Sequence, residues 1–478
     1  MPRGDEVGSS YVLIFLLIVR SMNPQASTVA AIASAPGVGA VSLIRVSGPD
    51  AVDISALATR CKCGLKNAAE RYATLCKVVS NDGEVIDEVL ATVFRNPRSF
   101  TGEDVVELAC HGGVLVTRRV LERLLECGAR SADPGEFSRR AFENGKLDLT
   151  QAEGVMDLIS AQTDLAMRAA HEQMQGKLGD QSEVLREKLI GVVAHVEAFI
   201  DFPDEDIDPD TGAAMLKRID EVLLGIDQML STAEQGRILR EGVRTVICGE
   251  PNVGKSSLLN GLLGYERAIV SDVEGTTRDT VEEVVNIQGI PLRLIDTAGV
   301  RSSEDKIEQQ GIIRSEKQIE LADLIIEVVD GSKPGKRLLT EKQIAGRKHV
   351  FVINKKDLGL DDVWTDSEGV HISCSSESGD TTDQDSLDLL GNKIADILML
   401  NESAWGGHAV AINARHQECL NRGKEALILA RDGLESQVGA EFAALDLRNA
   451  LEAIGEVAGR VDTEEIFDAI FGAFCIGK

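Results

Sequence analysis

The chain has 478 residues with 43% apolar and 4% aromatic content, enough for about two to four domains whose cores rest on Leu, Ile, Val and Ala. Acidic residues outnumber basic ones 78 to 50, and the net charge of −28 disfavours contact with a phosphate backbone except through local basic patches or a basic partner. The cysteines, scattered and odd in number at 9, exclude a disulfide framework and suit a reducing cytosol.

In chain order, the apolar run Tyr11–Val19 is too short to span a bilayer. Asp5 and Glu6 spoil a basic n-region, and no A-x-A site follows. Residues 1–21 read as an upstream extension or a misplaced start before Met22, with a vestigial anchor as the alternative. Residues 22–143 read as a compact α/β domain. Val29–Ile32, Ala40–Val46 and Glu88–Phe94 are strand-like, and Val114–Glu126 is apolar at helical spacing up to Gly128. Cys61-Lys62-Cys63 lacks a second pair at zinc-site spacing and reads as a surface turn.

Leu147–Met174, Leu178–Phe199 and Ala213–Gln235 carry long helical periodicity, interrupted by the acidic loop Phe202-Pro203-Asp204-Glu205-Asp206. The pattern returns at Ala414–Glu435, Glu441–Gly459 and Thr463–Phe474. These blocks predict one discontinuous helical domain, 144–238 with 405–478, carrying an insertion at 239–404. Inside the insertion, Val243–Cys248, Val281–Ile287, Leu292–Ile295, Leu324–Val329, Val350–Ile353 and Val370–Ser373 read as strands alternating with helices. That is the rhythm of a doubly wound, mostly parallel sheet. Gln288-Gly289 reads as a hairpin turn, and Ser375–Ser386 as a polar loop.

The insertion holds an ordered set of motifs. Gly249-Glu250-Pro251-Asn252-Val253-Gly254-Lys255-Ser256 follows a strand and precedes a helix starting at Ser257. Glycines let backbone N–H groups close around phosphates, Lys255 neutralises β/γ charge, and the Ser256 hydroxyl can ligate Mg²⁺. Asp296-Thr297-Ala298-Gly299 places an acid and a glycine at a strand end, suited to Mg²⁺ and the γ-phosphate. In Asn354-Lys355-Lys356-Asp357 the aspartate can accept from guanine N1–H and the N2 amine, a donor pair that adenine lacks. Ser373 and Cys374 fit the last guanine-contacting loop. Between the first two motifs, Ser271-Asp272-Val273-Glu274-Gly275-Thr276-Thr277-Arg278-Asp279 can act as an order–disorder switch whose hydroxyl, assigned to Thr277, completes Mg²⁺ coordination. Val300 stands where Ras-like enzymes place the water-orienting glutamine, so hydrolysis requires another group.

These residues resemble the bacterial tRNA-modification GTPases of the MnmE (TrmE/ThdF) family, from about residue 27 to the last residue. The resemblance is carried by Phe100-Thr101-Gly102-Glu103-Asp104-Val105-Val106-Glu107-Leu108, His111-Gly112-Gly113, Pro134-Gly135-Glu136-Phe137-Ser138, Arg140-Ala141-Phe142, Asn144-Gly145-Lys146-Leu147-Asp148-Leu149, Asp201-Phe202-Pro203-Asp204-Glu205 and the terminal Phe474-Cys475-Ile476-Gly477-Lys478. Two departures stand near the N-terminus: Ala35-Pro36-Gly37-Val38-Gly39-Ala40 in place of P-P-G-R-G-G, and Asp133 in place of arginine.

The resemblance implies an N-terminal α/β folate-binding dimerisation domain and a helical domain with an inserted Ras-like P-loop GTPase domain. It implies a homodimer that works with the flavoprotein MnmG on the wobble uridine of tRNA, with no membrane association. It implies a 5-formyl-tetrahydrofolate-type one-carbon donor held by Arg45, Glu107, Lys146 and Lys478. Asn252, Ser271, Val273 and Thr276 match its K⁺ site, and Glu308 its water-orienting glutamate, which with Lys255 makes the catalytic pair. Cys475 reads either as a thiol near the folate pocket or as a small buried cysteine. The rival reading is a ribosome-assembly GTPase of the Era or Der type, which shares Asn252 and Thr276-Thr277-Arg278-Asp279 but carries a basic RNA-binding domain. A third is a folate-binding dimer whose GTPase is only a switch.

Overall fold

The computed structural model describes residues 27–201, 211–265, 283–295, 319–374, 384–398, 411–436, 440–460 and 464–477. They form two compact units: the described part of Met1–Glu153 with that of Gly459–Lys478, and the described part of Gly154–Ala458. The segment expected to complete the helical domain, 405–478, is therefore shared between the units.

The first unit is built on a sheet of strands β1 (Val29–Ile32), β2 (Val41–Ser47), β3 (Thr59–Arg60), β4 (Thr74–Val79), β5 (Val85–Phe94), β6 (Val105–His111) and β7 (Arg130–Ser131). Their order is β3-β4-β5-β6-β2-β1-β7, antiparallel except for the β1–β7 pair. Alternating residues put Ile44, Val46, Val78, Val89, Ala91, Val93, Val106 and Leu108 on one face. Helices α1 (Ala51–Ala58) and α2 (Val114–Glu126) cover it with Val52, Ile54, Val120 and Leu124. Strands β3, β4, β6 and β7 were not expected from the sequence, and β6 takes up the second half of the motif Phe100–Leu108.

Helix α3 (Glu136–Glu143) and the start of α4 (Leu149–Ser160) follow. The chain's last described helix, 464–472, docks here. Phe142 of α3 stacks at 5.0 Å from Phe467 and 6.3 Å from Phe471, and Arg139 donates to Asp468 at 2.8 Å. Gly135 has φ +66°, and a Cβ there would run into the Phe471 carbonyl. Ile476 then bridges Pro134, and Gly477 lies against the Ile32 carbonyl.

In the second unit, α5 (Asp164–Met174), α6 (Lys177–Asp201), α7 (Thr211–Leu230), α8 (Ala233–Glu241), α11 (Ala414–Glu435) and α12 (Ala440–Val457) form helical layers, while α9 (Lys255–Tyr265) and α10 (Gln384–Leu398) pack on a sheet. Leu189, Val192, Ile219, Ile226, Leu420, Leu427, Leu447 and Ile454 meet in their core. The continuous helix expected over Leu147–Met174 is broken. Thr163 leaves helical geometry and its hydroxyl accepts from the Ala166 amide at 3.2 Å, starting a new helix. Ala213–Gln235 likewise divides between α7 and α8.

The remaining part of this unit carries β8 (Val243–Gly249), β9 (Glu283–Ile287), β10 (Ile290–Leu294), β11 (Leu324–Asp330), β12 (Lys348–Asn354) and β13 (Val370–His371) in the order β13-β12-β11-β8-β10-β9. All pairs are parallel except β9–β10. The β9–β10 turn is the expected Gln288-Gly289, with φ of +52° and +86°, the left-handed pair that a two-residue hairpin needs. Helices α9 (Lys255–Tyr265) and α10 (Gln384–Leu398) bury Leu258, Leu262, Leu390 and Ile394 on the sheet. The carboxyl ends of β8, β11, β12 and β13 converge on one edge, where open parallel sheets bind ligands.

Candidate functional site: a guanine-nucleotide cradle

The phosphate loop leaves β8 at Gly249, whose φ is +154°, and enters α9 at Lys255. A Cβ at Gly249 would run into the Val328 carbonyl of β11, and one at Gly254 (φ +97°) into the Asn354 side-chain amide. The loop is thus glycine-bound by its neighbours as well as by any phosphate. Asn252 takes a left-handed φ of +62° and Val253 is buried. Lys255 donates to the loop carbonyls of Gly249 at 2.9 Å and Glu250 at 2.7 Å, so its ammonium lies over the loop. Burial lowers the Lys255 pKa. Behind it, burial and then the charge of Glu327 push the Cys248 thiol up to about 12, which keeps it neutral and inert. Ser256 and Ser257 stand in the first turn of α9, where the helix N-terminus favours anions.

Asn354 ties the Gly249–Ser256 loop to the segment that carries Cys374. It is 1% exposed. Its Nδ2 donates to the Val253 carbonyl at 2.9 Å and its Oδ1 accepts from the Cys374 amide at 3.0 Å. Lys355, left-handed at φ +65°, donates from Nζ to the Asn252 carbonyl at 2.8 Å and to Asp330 at 2.7 Å. Asp357 sits in the single turn Lys356–Leu358, and its carboxylate accepts from the Ser373 hydroxyl at 2.6 Å. The structure therefore brings Asn252, Val253, Gly254, Lys255, Ser256, Ser257, Asn354, Lys355, Asp357, Ser373 and Cys374 to one sheet edge. Ser271, Asp272, Val273, Glu274, Gly275, Thr276, Thr277, Asp296, Thr297, Ala298, Gly299, Glu308 and Lys478 lie outside the described residues. Asp330 is not singled out by the sequence, since the apolar run Leu324–Val329 stops just before it and its place beside Asn354 comes from strand register; the one sequence signal is an acid directly closing an apolar strand.

In the first unit, Arg45 of β2 and Glu107 of β6 are register partners. Arg45 Nε and Nη2 donate to one Glu107 oxygen at 3.0 and 2.7 Å, with the guanidinium 5.5 Å from the Phe100 ring and 5.7 Å from that of Phe137. These two candidate folate contacts thus partner each other. Lys146 donates to the Pro97 carbonyl at 3.1 Å, on the same β5–β6 connection that presents Phe100. Below them Arg140, 4% exposed, binds Glu103, Glu136 and the Ser27 carbonyl. Cys475 is exposed, against the reading of a buried cysteine.

Residues 28–146 match the family model described as GTP-binding protein TrmE N-terminus, and residues 149–475 match that of the MnmE helical domain. A curated tRNA modification GTPase MnmE from Akkermansia muciniphila is 48% identical over 451 residues, covering 94% of this chain and 99% of that protein. The chain belongs to the MnmE family. A second MnmE relative of the same name, from Geobacter sulfurreducens, is 44% identical over 94% of this chain and 99% of its own length. Among solved structures, the FeoB G-domain from Methanococcus jannaschii is 22% identical with a TM-score of 0.22, covering 33% of this chain and 98% of that one. The MnmE matches run through both units.

Proposed function

We propose that this GTPase of the MnmE family acts with a flavoprotein partner of the MnmG type on the wobble uridine, position 34, of certain tRNAs. Its product is an aminomethyl- or carboxymethylaminomethyl-type group on carbon 5, built with a one-carbon unit from a 5-formyl-tetrahydrofolate-type donor. The observation that carries the reading is Asn354, which joins the phosphate loop to the guanine-reading loop in a chain 48% identical to a curated tRNA modification GTPase over 94% of its length.

In this reading Lys255 neutralises phosphate charge and Asp357 reads guanine. Mg²⁺ is assigned to the Ser256 and Thr277 hydroxyls, and when bound it would offset charge on the β- and γ-phosphates. K⁺ is assigned to Asn252, Ser271, Val273 and Thr276; the left-handed Asn252 at the loop rim supports the place. Glu308 orients the attacking water where Val300 replaces glutamine. Arg45, Glu107, Lys146 and Lys478 hold the folate in a homodimer, with Arg45 exchanging part of its Glu107 pairing for a ligand carboxylate. The expected site of action is the cytoplasm; no helix among the described residues is long and apolar enough to cross a membrane.

The test is mass analysis of tRNA nucleosides from cells lacking the protein. Loss of the C5-modified wobble uridine is expected, with its return on complementation. An unchanged nucleoside profile would reject the tRNA assignment.

A further inference from the structure

Asp330 belongs to none of the nucleotide motifs, yet it sits between two of them. It closes β11, and the parallel register sets it beside Asn354 of β12. Its side chain is 12% exposed. One carboxylate oxygen accepts from the Ser332 amide at 3.1 Å and the Ser332 hydroxyl at 2.6 Å, which fixes its plane. The other accepts from Lys355 Nζ at 2.7 Å.

The same ammonium donates to the Asn252 carbonyl at 2.8 Å. Lys355 and Asn252 both hold left-handed backbones, φ +65° and +62°. Asparagine tolerates this conformation, but it is costly for lysine and persists where neighbours over-determine it. Here one ammonium spans the base-reading loop and the phosphate loop, and Asp330 anchors it. Without the anchor, the flexible Lys355 stem can leave the Asn252 carbonyl for solvent. Lys333, 74% exposed and 3.8 Å from Asp330, makes no comparable bridge.

We propose that Asp330 is a positioning residue that acts through Lys355 to hold the Asn252 carbonyl, coupling the guanine-reading loop to the phosphate loop. Burial would raise its carboxyl pKa, but the Lys355 and Ser332 hydrogen bonds outweigh burial and hold it below the ordinary aspartate value, so the anchor is charged at neutral pH. The cation consequence rests on the reading of Asn252 as a potassium residue; the nucleotide consequence does not.

The test uses the full chain as D330N, K355Q and the D330N/K355Q double variant. Two quantities are measured: the release rate of a fluorescent GDP analogue, and the KCl concentration for half-maximal GTP turnover. D330N should speed GDP release by about tenfold, the effect of losing one charge-assisted hydrogen bond, and raise the KCl midpoint. In the K355Q background, adding D330N should change GDP release by less than about twofold, because the route through Lys355 is already cut. GDP release equal to that of the unaltered protein in D330N overturns the proposal. So does an undiminished D330N effect in the K355Q background, which would make Asp330 a stabiliser of the sheet alone. If the unaltered protein turns over GTP equally in KCl and NaCl, the potassium reading fails, and GDP release still decides the role of Asp330.

Discussion

The side-chain amide of Asn354 donates to the Val253 carbonyl at 2.9 Å, so the loop that follows β12 also fixes the loop that follows β8. Replacing Asn354 with alanine leaves the Val253 carbonyl and the Cys374 amide without these partners, at about 1–3 kcal/mol each where water cannot replace them. Loss of even one of these partners should weaken GDP binding in Asn354→Ala by at least about tenfold, at 1.4 kcal/mol per decade. Titration calorimetry checks this, and an unchanged dissociation constant would contradict the bridging role.

Gly254→Ala should act at the same junction from the other side. Its added methyl meets the Asn354 amide at a backbone φ of +97°, which no alanine adopts without strain. Nucleotide binding should fall by roughly 100-fold while far-ultraviolet circular dichroism stays unaltered, since the change is local. Retained GDP affinity would show that the loop relaxes around the methyl.

Asp357→Asn should redirect base choice. An amide offers a donor where guanine also donates, whereas xanthine presents an acceptor there. Turnover of XTP should rise relative to GTP in competition assays. Persistent preference for GTP would remove Asp357 from base reading.

Hydrolysis should depend on the cation and on Glu308. GTP turnover is expected to be at least about tenfold faster in KCl than in NaCl, a difference of 1.4 kcal/mol in barrier. Glu308→Ala should lower kcat with GTP affinity nearly unchanged. Equal rates in the two salts would reject the cation assignment, and a normal kcat would reject Glu308.

Glu136 supplies a pH test in the first unit. Burial would raise its pKa, but the Asp133 amide, Arg130 and Arg140 outweigh burial and hold it below the ordinary glutamate value. A depressed carboxylate contributes stability above its unfolded pKa and loses it as pH falls toward the folded one. Glu136→Gln should therefore destabilise the unit at pH 7 by about 2 kcal/mol, and the difference should shrink below about pH 4. Hydrogen exchange over residues 103–143 reads it; a difference constant with pH would contradict the assignment.

The Gly249–Ser256 and Asn354–Asp357 loops were legible together because each follows an apolar parallel strand, β8 or β12. An apolar run closed by Asn354-Lys355-Lys356-Asp357 fixes both the strand and the direction of its loop. The Arg45–Glu107 pairing was not legible. It depends on strand register between residues 62 apart in sequence, and both strands carry alternation that many registers satisfy. The break before α5 left a local trace, since Thr163-Asp164 is a helix-start signature, but apolar periodicity on both sides masked it. Asp330 escaped because its partner Lys355 lies on the neighbouring strand's loop.

The docking of residues 464–477 on α3 has a consequence for synthesis. Phe142 is made early, while its ring partners Phe467 and Phe471 emerge only after residues 154–458 have left the ribosome. The nascent first unit therefore waits with an uncovered aromatic face while the nucleotide-binding segment is translated and free to fold. Maturation order runs from the inside of the chain outward, and the earliest segment made is among the last to be sealed.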